Sequence, residues 1–336
     1  MARFGRPNSE GQDLLQRAAD GSPTPTILRP IDRPFDTGPP KKEVLRPADL
    51  KRLSSFEFAT KLVVEGYFHG KHRSPYNDFS SEFSDYRQYT PGDDIRRIDW
   101  RALARTDRYY VKLYRKETDL HCYVLLDNSA SMAYAGIQKG AVSKLEYGSY
   151  LAAALSYLII KQHDRAGMTL TENAAQRYIP PAGTHQGLQK IVGVLERVQT
   201  SGITDLAFSL QTLFGLTKQR RGLVVVISDF LDDLDPVFQA LSMFTHRGFS
   251  VLLVQTLTDE EMSLPGEMGS AIYYDLESPA TVTAEPDVIR KAYQEEMAAF
   301  VDDVRNRAKA RNIHYELGLT SRPYDRVLEA FLTARA

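Results

Sequence analysis

The chain has 336 residues, 43% hydrophobic and 25% charged, with 42 Lys and Arg against 43 Asp and Glu and one cysteine. Such a balance fits a soluble globular protein of about two domains, or one large domain with extensions. A single Cys122 excludes a disulfide framework and a zinc site on paired cysteines. The net charge of −1 argues against a surface tuned throughout for nucleic acid or anionic membrane.

The first 50 residues hold eight of the 17 prolines and few aromatic or β-branched residues. Residues 1–46 read as a proline-rich, disordered arm, because such a composition buries too little apolar surface to offset the entropy of ordering. The charged, glycine-containing start has no apolar core of a secretory signal. No apolar run reaches the roughly 18 residues that would span a bilayer. The expected compartment is the cytoplasm, where a lone thiol stays reduced.

Residues 47–118 form a charged segment of their own. Leu50, Leu53 and Phe56 share one face of a helix expected over 47–58. A Gly-, His- and Ser-rich loop follows over 66–83, where His69 and His72 read as surface residues. RYYVKLYRKE, residues 108–117, alternates as a strand does. Within 85–117, nine basic residues mix with six acidic ones. Arg96, Arg97, Arg101, Arg105 and Arg108 lie among Asp93, Asp94, Asp99 and Asp107, whose carboxylates would repel phosphate. An internal ion-pair network, or a docking surface for a protein partner, fits better than nucleic-acid binding. Trp100 is expected as a core anchor.

From 119 to 336 the pattern turns regular. Buried strands are expected over 120–127, 222–229 and 249–257, the first two ending on aspartates. Shorter strands fall at 166–171, 176–181 and 313–319. Helices are expected over 145–162, 187–198, 204–216 (capped by Thr204 or Asp205), 235–248 (closed by Gly248), 285–311 and 323–334. Near-continuous Val, Ile and Leu strands alternating with helices predict a mostly parallel sheet covered on both faces. Cys122 falls within a strand as an inert core thiol.

Ligands of such sheets collect outside the carboxyl ends of the strands. There the chain offers Asp127, Ser129 and Ser131 in a D-x-S-x-S turn, Thr204 just before a helix, and Asp229 after the second buried strand. Two carboxylates and three hydroxyls suit a hard cation: Mg²⁺, with Mn²⁺ or Ca²⁺ as substitutes. Alternate residues of the turn point the same way, so its side chains can converge. A coordination position left open could take a carboxylate from a protein partner. Singly, each of these residues is equally a turn or capping residue. Asp232, Asp233 and Asp235 read as caps at a helix N-terminus or as an outer rim of the site.

DNSASM, GITDLAFSL and VVVISDF together look like the metal-ion-dependent adhesion site of a von Willebrand factor A-type domain. Upstream, the run EFSDYRQYTPGDDIRRIDW with VKLYRKE resembles the signature of the domain of unknown function 58 family, and the likeness covers roughly residues 45–335. It implies a von Willebrand factor A-like α/β fold with helices on both faces of a mostly parallel sheet, plus an N-terminal irregular and β extension. It also implies metal ligation by Asp127, Ser129, Ser131, Thr204 and Asp229. Many members carry membrane helices near the N-terminus, and no such run is visible here. Members are often encoded beside MoxR-type AAA+ ATPases, which implies that such an ATPase, or its client, is the partner. The expected function is a non-enzymatic, metal-dependent protein-binding module acting in protein assembly or maturation. The alternatives are a Mg²⁺- or Mn²⁺-dependent phosphatase or nuclease, for which no placed histidine, D-x-D, G-x-S-x-G or P-loop is present, and a structural assembly factor that works through the arm.

Overall fold

The computed structural model describes residues 55–70, 86–90, 100–106, 108–112, 120–137, 140–171, 178–202, 204–218, 221–265, 271–274 and 281–335, with Pro47, Ile98 and Leu276 singly. The expected arm and much of the Arg/Asp run lie outside these residues. All the described elements belong to one unit, Glu43–Ala336.

The elements are, in chain order, α1 (Phe56–Gly70), β1 (Tyr86–Gln88), α2 (Trp100–Thr106), β2 (Tyr110–Lys112), β3 (His121–Leu126), α3 (Lys144–Lys161), β4 (Arg165–Leu170), β5 (Ile179–Ala182), α4 (His185–Leu195) and α5 (Leu206–Leu216). They continue with β6 (Gly222–Ser228), α6 (Leu234–His246), β7 (Phe249–Leu257), α7 (Asp259–Ser263), β8 (Ala271–Tyr274), β9 (Thr281–Ala284), α8 (Pro286–Ala310), β10 (His314–Leu319) and α9 (Asp325–Arg335). The central sheet runs β10-β7-β6-β3-β4-β5. All its neighbours pair in parallel except β4 and β5. This is the mostly parallel α/β architecture that the alternation of apolar strands and helices predicts, and it fits the fold that the family resemblance implies.

Strand alternation divides the core in two. Cys122, Val124 and Leu126 of β3, with Leu223, Val225 and Ile227 of β6, face a layer built from α1, α3, α4 and α9. Tyr123 and Leu125, with Val224 and Val226, face α5, α6 and α8. Because both faces are covered, the central strands need no polar face, and every residue of β6 is buried. Cys122 is fully buried, as expected, and as the single cysteine of the chain it is in no disulfide.

The structure differs from the sequence-based expectations at several elements. Helix α1 runs on to Gly70, through the start of the expected loop. The short α7 and the β8–β9 hairpin carry no apolar periodicity long enough to announce them. Trp100 is not a core anchor: it is 58% exposed, and Ile98 and Ala102 are the buried apolar residues beside it. A seven-residue helix presents too narrow an apolar face to bury an indole as well.

Helix α3 is held at its start by a capping box, Ser143 with Glu146. It lies close against the sheet at Gly148, where a Cβ would stand 2.7 Å from Leu126 Cδ1 and 3.1 Å from Ile227 Cγ2. Gly148→Ala therefore forces overpacking between two buried strands, a cost of about 1–3 kcal/mol, partly offset by a helix-propensity gain of about 1 kcal/mol. A lower urea midpoint at unchanged m-value is the expected result; an unchanged or raised midpoint would mean that α3 shifts freely off the sheet.

Candidate metal centre

The carboxyl ends of β3 and β6 lie side by side, and Asp127 N–H extends the ladder by donating to Ile227 C=O at 2.9 Å. This register places Asp127 and Asp229 at the same sheet margin, 4% and 2% exposed. The turn after β3 closes on the Asp127 side chain, because Ser129 N–H donates to Oδ1 at 2.9 Å. Residues 130–133 then form a 3₁₀ turn. The loop before α5 is tied to this turn by Ser201 N–H to Asn128 C=O at 2.8 Å, Ala130 N–H to Gly202 C=O at 3.2 Å and Asn128 Nδ2 to Gln199 C=O at 3.1 Å.

These ties gather all five expected residues into one network. Thr204 Oγ1 donates to Asp127 Oδ1 at 3.4 Å, a long contact. Ser131 Oγ donates to Asp229 Oδ2 at 2.8 Å, and Ser129 Oγ donates to Ser131 Oγ at 3.0 Å. Asp127, Ser129 and Asp229 are buried, while Ser131 and Thr204 are half-buried. Two partners were not foreseen: Ser228 Oγ donates to Asp127 Oδ2 at 2.6 Å, and Thr171 Oγ1 stands 3.1 Å from Asp127 Oδ1. Behind Asp229 the backbone is constrained. Buried Phe230 adopts φ +60°, a left-handed conformation rare for an aromatic residue, and its N–H donates to Ser228 Oγ at 3.0 Å.

The largest departure from the sequence reading is Lys144. This first residue of α3 is fully buried, and its Nζ donates to Asp229 Oδ2 at 2.7 Å and to Glu261 Oε1 at 2.6 Å. Glu261 is fixed in turn by the cap of α7, where its Oε2 accepts from Thr258 N–H at 2.8 Å. No spacing rule announces a lysine at the head of an apolar helix as a buried ion-pair partner. Burial draws its ammonium down, but Asp229 and Glu261 outweigh that and hold it above its ordinary value. Of the acidic run, Asp232 accepts from Leu206 N–H at the start of α5 and Asp233 caps α6, so these two are helix caps.

Asp127 is in a different electrostatic position from Asp229. Its donors Ser129, Thr171, Thr204 and Ser228 are all uncharged. Burial first, and then the charge on Asp229, push its carboxyl above the usual range in spite of the Ser228 and Ser129 hydrogen bonds. A hard cation beside Asp127 would supply the charge that it lacks, and the side chains of Ser129, Ser131, Thr204 and Asp229 would offer it oxygen, with Lys144 already on one oxygen of Asp229. By formal charge, the three carboxylates of Asp127, Asp229 and Glu261 face the single ammonium of Lys144, an excess that a divalent ion would offset. Hydroxyls are essential to such a site, since among the described residues no three His, Cys, Asp or Glu group closely enough to hold a metal.

Comparison with known proteins places this geometry in context. An uncharacterized protein of Mycobacterium bovis is 27% identical over 229 residues, 67% of this chain and 70% of that protein. The structure is similar to BatB, a conserved hypothetical protein from Bacteroides thetaiotaomicron, at 16% identity and TM-score 0.44, over 64% of this chain and 98% of that one. It is also similar to the SpRpn10 VWA domain at 12% identity and TM-score 0.31, over 41% of this chain and 75% of that one. Residues 85–301 match the family described as protein of unknown function DUF58, and with more than half its length inside that match, the chain belongs to this family.

Proposed function

We propose that the protein is a metal-dependent protein-binding module. Asp127, Ser129, Ser131, Thr204 and Asp229 hold Mg²⁺, or Mn²⁺ or Ca²⁺ in its place, as a metal-ion-dependent adhesion site. The ion supplies a positive charge with a coordination position for a carboxylate of the partner. The observation that carries this reading is the convergence of five oxygen side chains on two adjacent strand ends, with the buried Asp127 served by uncharged donors only. The segments bearing Thr204 and Asp229 lead into Phe208 and Leu231, 64% and 47% exposed, an apolar rim suited to a protein surface. We assign the partner as a MoxR-type AAA+ ATPase or that ATPase's client, in the cytoplasm. Among the described residues no helix is long and apolar enough to cross a membrane. Lys144, held charged by two carboxylates, is no general base, which weighs against a hydrolase.

Thermal unfolding with and without Mg²⁺ tests the site, because a ligand at 100 times its Kd stabilises by about 2.7 kcal/mol. The expected result is a Mg²⁺-dependent rise in Tm that Asp127→Asn and Ser131→Ala abolish. Affinity purification of the full chain from its source cells should recover the ATPase or its client in Mg²⁺ and lose it in chelator. Recovery that is indifferent to chelator and to Asp127→Asn would overturn the reading.

Lys144→Met leaves Asp229 and Glu261 buried together without their cation, and removing one partner of a buried pair costs about 3–5 kcal/mol. A large loss of stability in chelator is expected, with added Mg²⁺ recovering more of it than in the parent protein, since the vacated Asp229 oxygen makes the site more negative. Equal Mg²⁺ responses in the two proteins would argue that no ion binds beside Asp229.

A further inference from the structure

Strand β10 ends the sheet: among the described residues it pairs only with β7. In a parallel ladder, the N–H and C=O of one residue point to one side and those of the next to the other. Thr320 N–H donates to Leu257 C=O at 3.0 Å, so the even-numbered residues of β10 turn their backbone groups towards β7. The backbone groups of Tyr315 and Leu317 therefore face outward and have no strand partner among the described residues, as on an edge that can accept an incoming chain. Tyr315, Glu316 and Leu317 are half-buried rather than covered.

The walls of this edge are cationic. Helix α8 packs on one face of the sheet through Val304 and Ala308, and α9 on the other through Val327, Leu328 and Phe331. Between them, along the margin of β10, runs a groove of about 520 Å³. Arg305 and Lys309 line it from α8, and Arg322 and Arg326 line it at the start of α9. All four are exposed. Lys309, Arg322 and Arg326 take part in no ion pair among the described residues, whereas Arg305 pairs with Asp302. Glu316 is the acidic group in the lining, and its carboxyl is raised by burial against the lowering pull of Arg326 and Arg305. The balance of charge along the groove is positive. Tyr147 also lines it, and its fully buried hydroxyl has no hydrogen-bond partner among the described residues.

We propose that the outer edge of β10 docks an extended acidic segment of a partner protein, which adds to the sheet as a further strand. Side chains of an added strand alternate between the two faces. Asp or Glu at successive positions then meet Arg305 and Lys309 on one side and Arg322 and Arg326 on the other. The backbone supplies affinity, and the two basic rows supply selectivity. The same rows repel a second copy of this edge, so they block self-pairing while admitting an acidic strand. This surface stands on different residues from the metal centre and does not depend on it.

The test is a displayed library of random decapeptides panned against the full chain. Enriched sequences are expected to carry Asp or Glu at consecutive or alternating positions of an extended stretch. The selected peptide, measured by fluorescence anisotropy, should lose at least tenfold in affinity on R322E/R326E and on K309E, surface changes that leave Tm unaltered. N-methylation of alternate amides of the peptide should cost a similar factor in one register and little in the other, which simple charge attraction would not produce. Failure to enrich acidic sequences would overturn the proposal and leave the cations as guards against self-association. Insensitivity to N-methylation would also overturn it, as would a single-stranded RNA 20-mer that binds more tightly than the peptide and displaces it. Because none of these measurements needs Mg²⁺, they stand or fall apart from the metal reading.

Discussion

A single buried ammonium organises the functional end of this molecule. Lys144 begins α3, yet its Nζ reaches Asp229 beyond β6 and Glu261 in α7, so one cation ties together three segments far apart in sequence. A charge in that position is tolerable only because it is paired and hydrogen-bonded. The surroundings follow from that requirement. The capping box at Ser143 fixes where α3 starts, the cap at Thr258 fixes one oxygen of Glu261, and Phe230 accepts a strained backbone conformation directly after Asp229. Replacing the three charged groups by apolar ones would relieve the desolvation cost, so stability alone does not explain them.

The electrostatic consequence is an asymmetry between the two aspartates. Asp229 shares its charge with Lys144, whereas Asp127 faces hydroxyl and amide donors only. Hydrogen bonds orient Asp127 without neutralising it, and burial then works against its ionised form. An ion arriving at this margin would find one carboxylate already satisfied and one in deficit. A divalent cation would answer that deficit better than a second ammonium could, because the oxygens converge from several directions and a multidentate ion uses them all.

Much of this was legible in the chain. The apolar runs ending in Asp127 and Asp229 fixed both the strands and the margin where the aspartates sit, since a strand buried on both faces has to be apolar along its length. The D-x-S-x-S spacing gave Ser129 and Ser131 through local turn geometry, and the helix-start pattern gave Thr204. What stayed hidden depends on long-range placement. Ser228 shows in the sequence only as the hydroxyl beside Asp229, Thr171 only as the end of another strand, and Lys144 precedes the helix expected from residue 145 with nothing to mark it. Their roles arise from register between strands and from the angle at which α3 meets the sheet, neither of which has a local signature. Trp100 shows the opposite error, where a residue type suggested burial and a short helix could not provide it.

The margin that bears Asp127 and Asp229 and the β10 edge are joined by contact as well as by the sheet. Gln255 of β7 donates through Nε2 to the Asp229 carbonyl at 3.2 Å and accepts from the Tyr315 hydroxyl at 2.7 Å. The ring of Tyr315 lies under the Arg305 guanidinium, 5.3 Å from its centroid. Thus the strand next to the edge carries one buried amide that touches both the backbone of a proposed metal ligand and a side chain of the edge strand. Contiguity is not coupling, which is a free energy and requires an element with two arrangements that each site favours differently. The elements best placed to have two arrangements are the turn at Phe230, held in an unfavoured conformation, and the Lys144 ammonium, which is divided between Asp229 and Glu261. Both adjoin Asp229 rather than β10. Any communication between the surfaces would therefore start from a change at Asp229 and reach the edge through Gln255, the one buried side chain among the described residues that bonds to both.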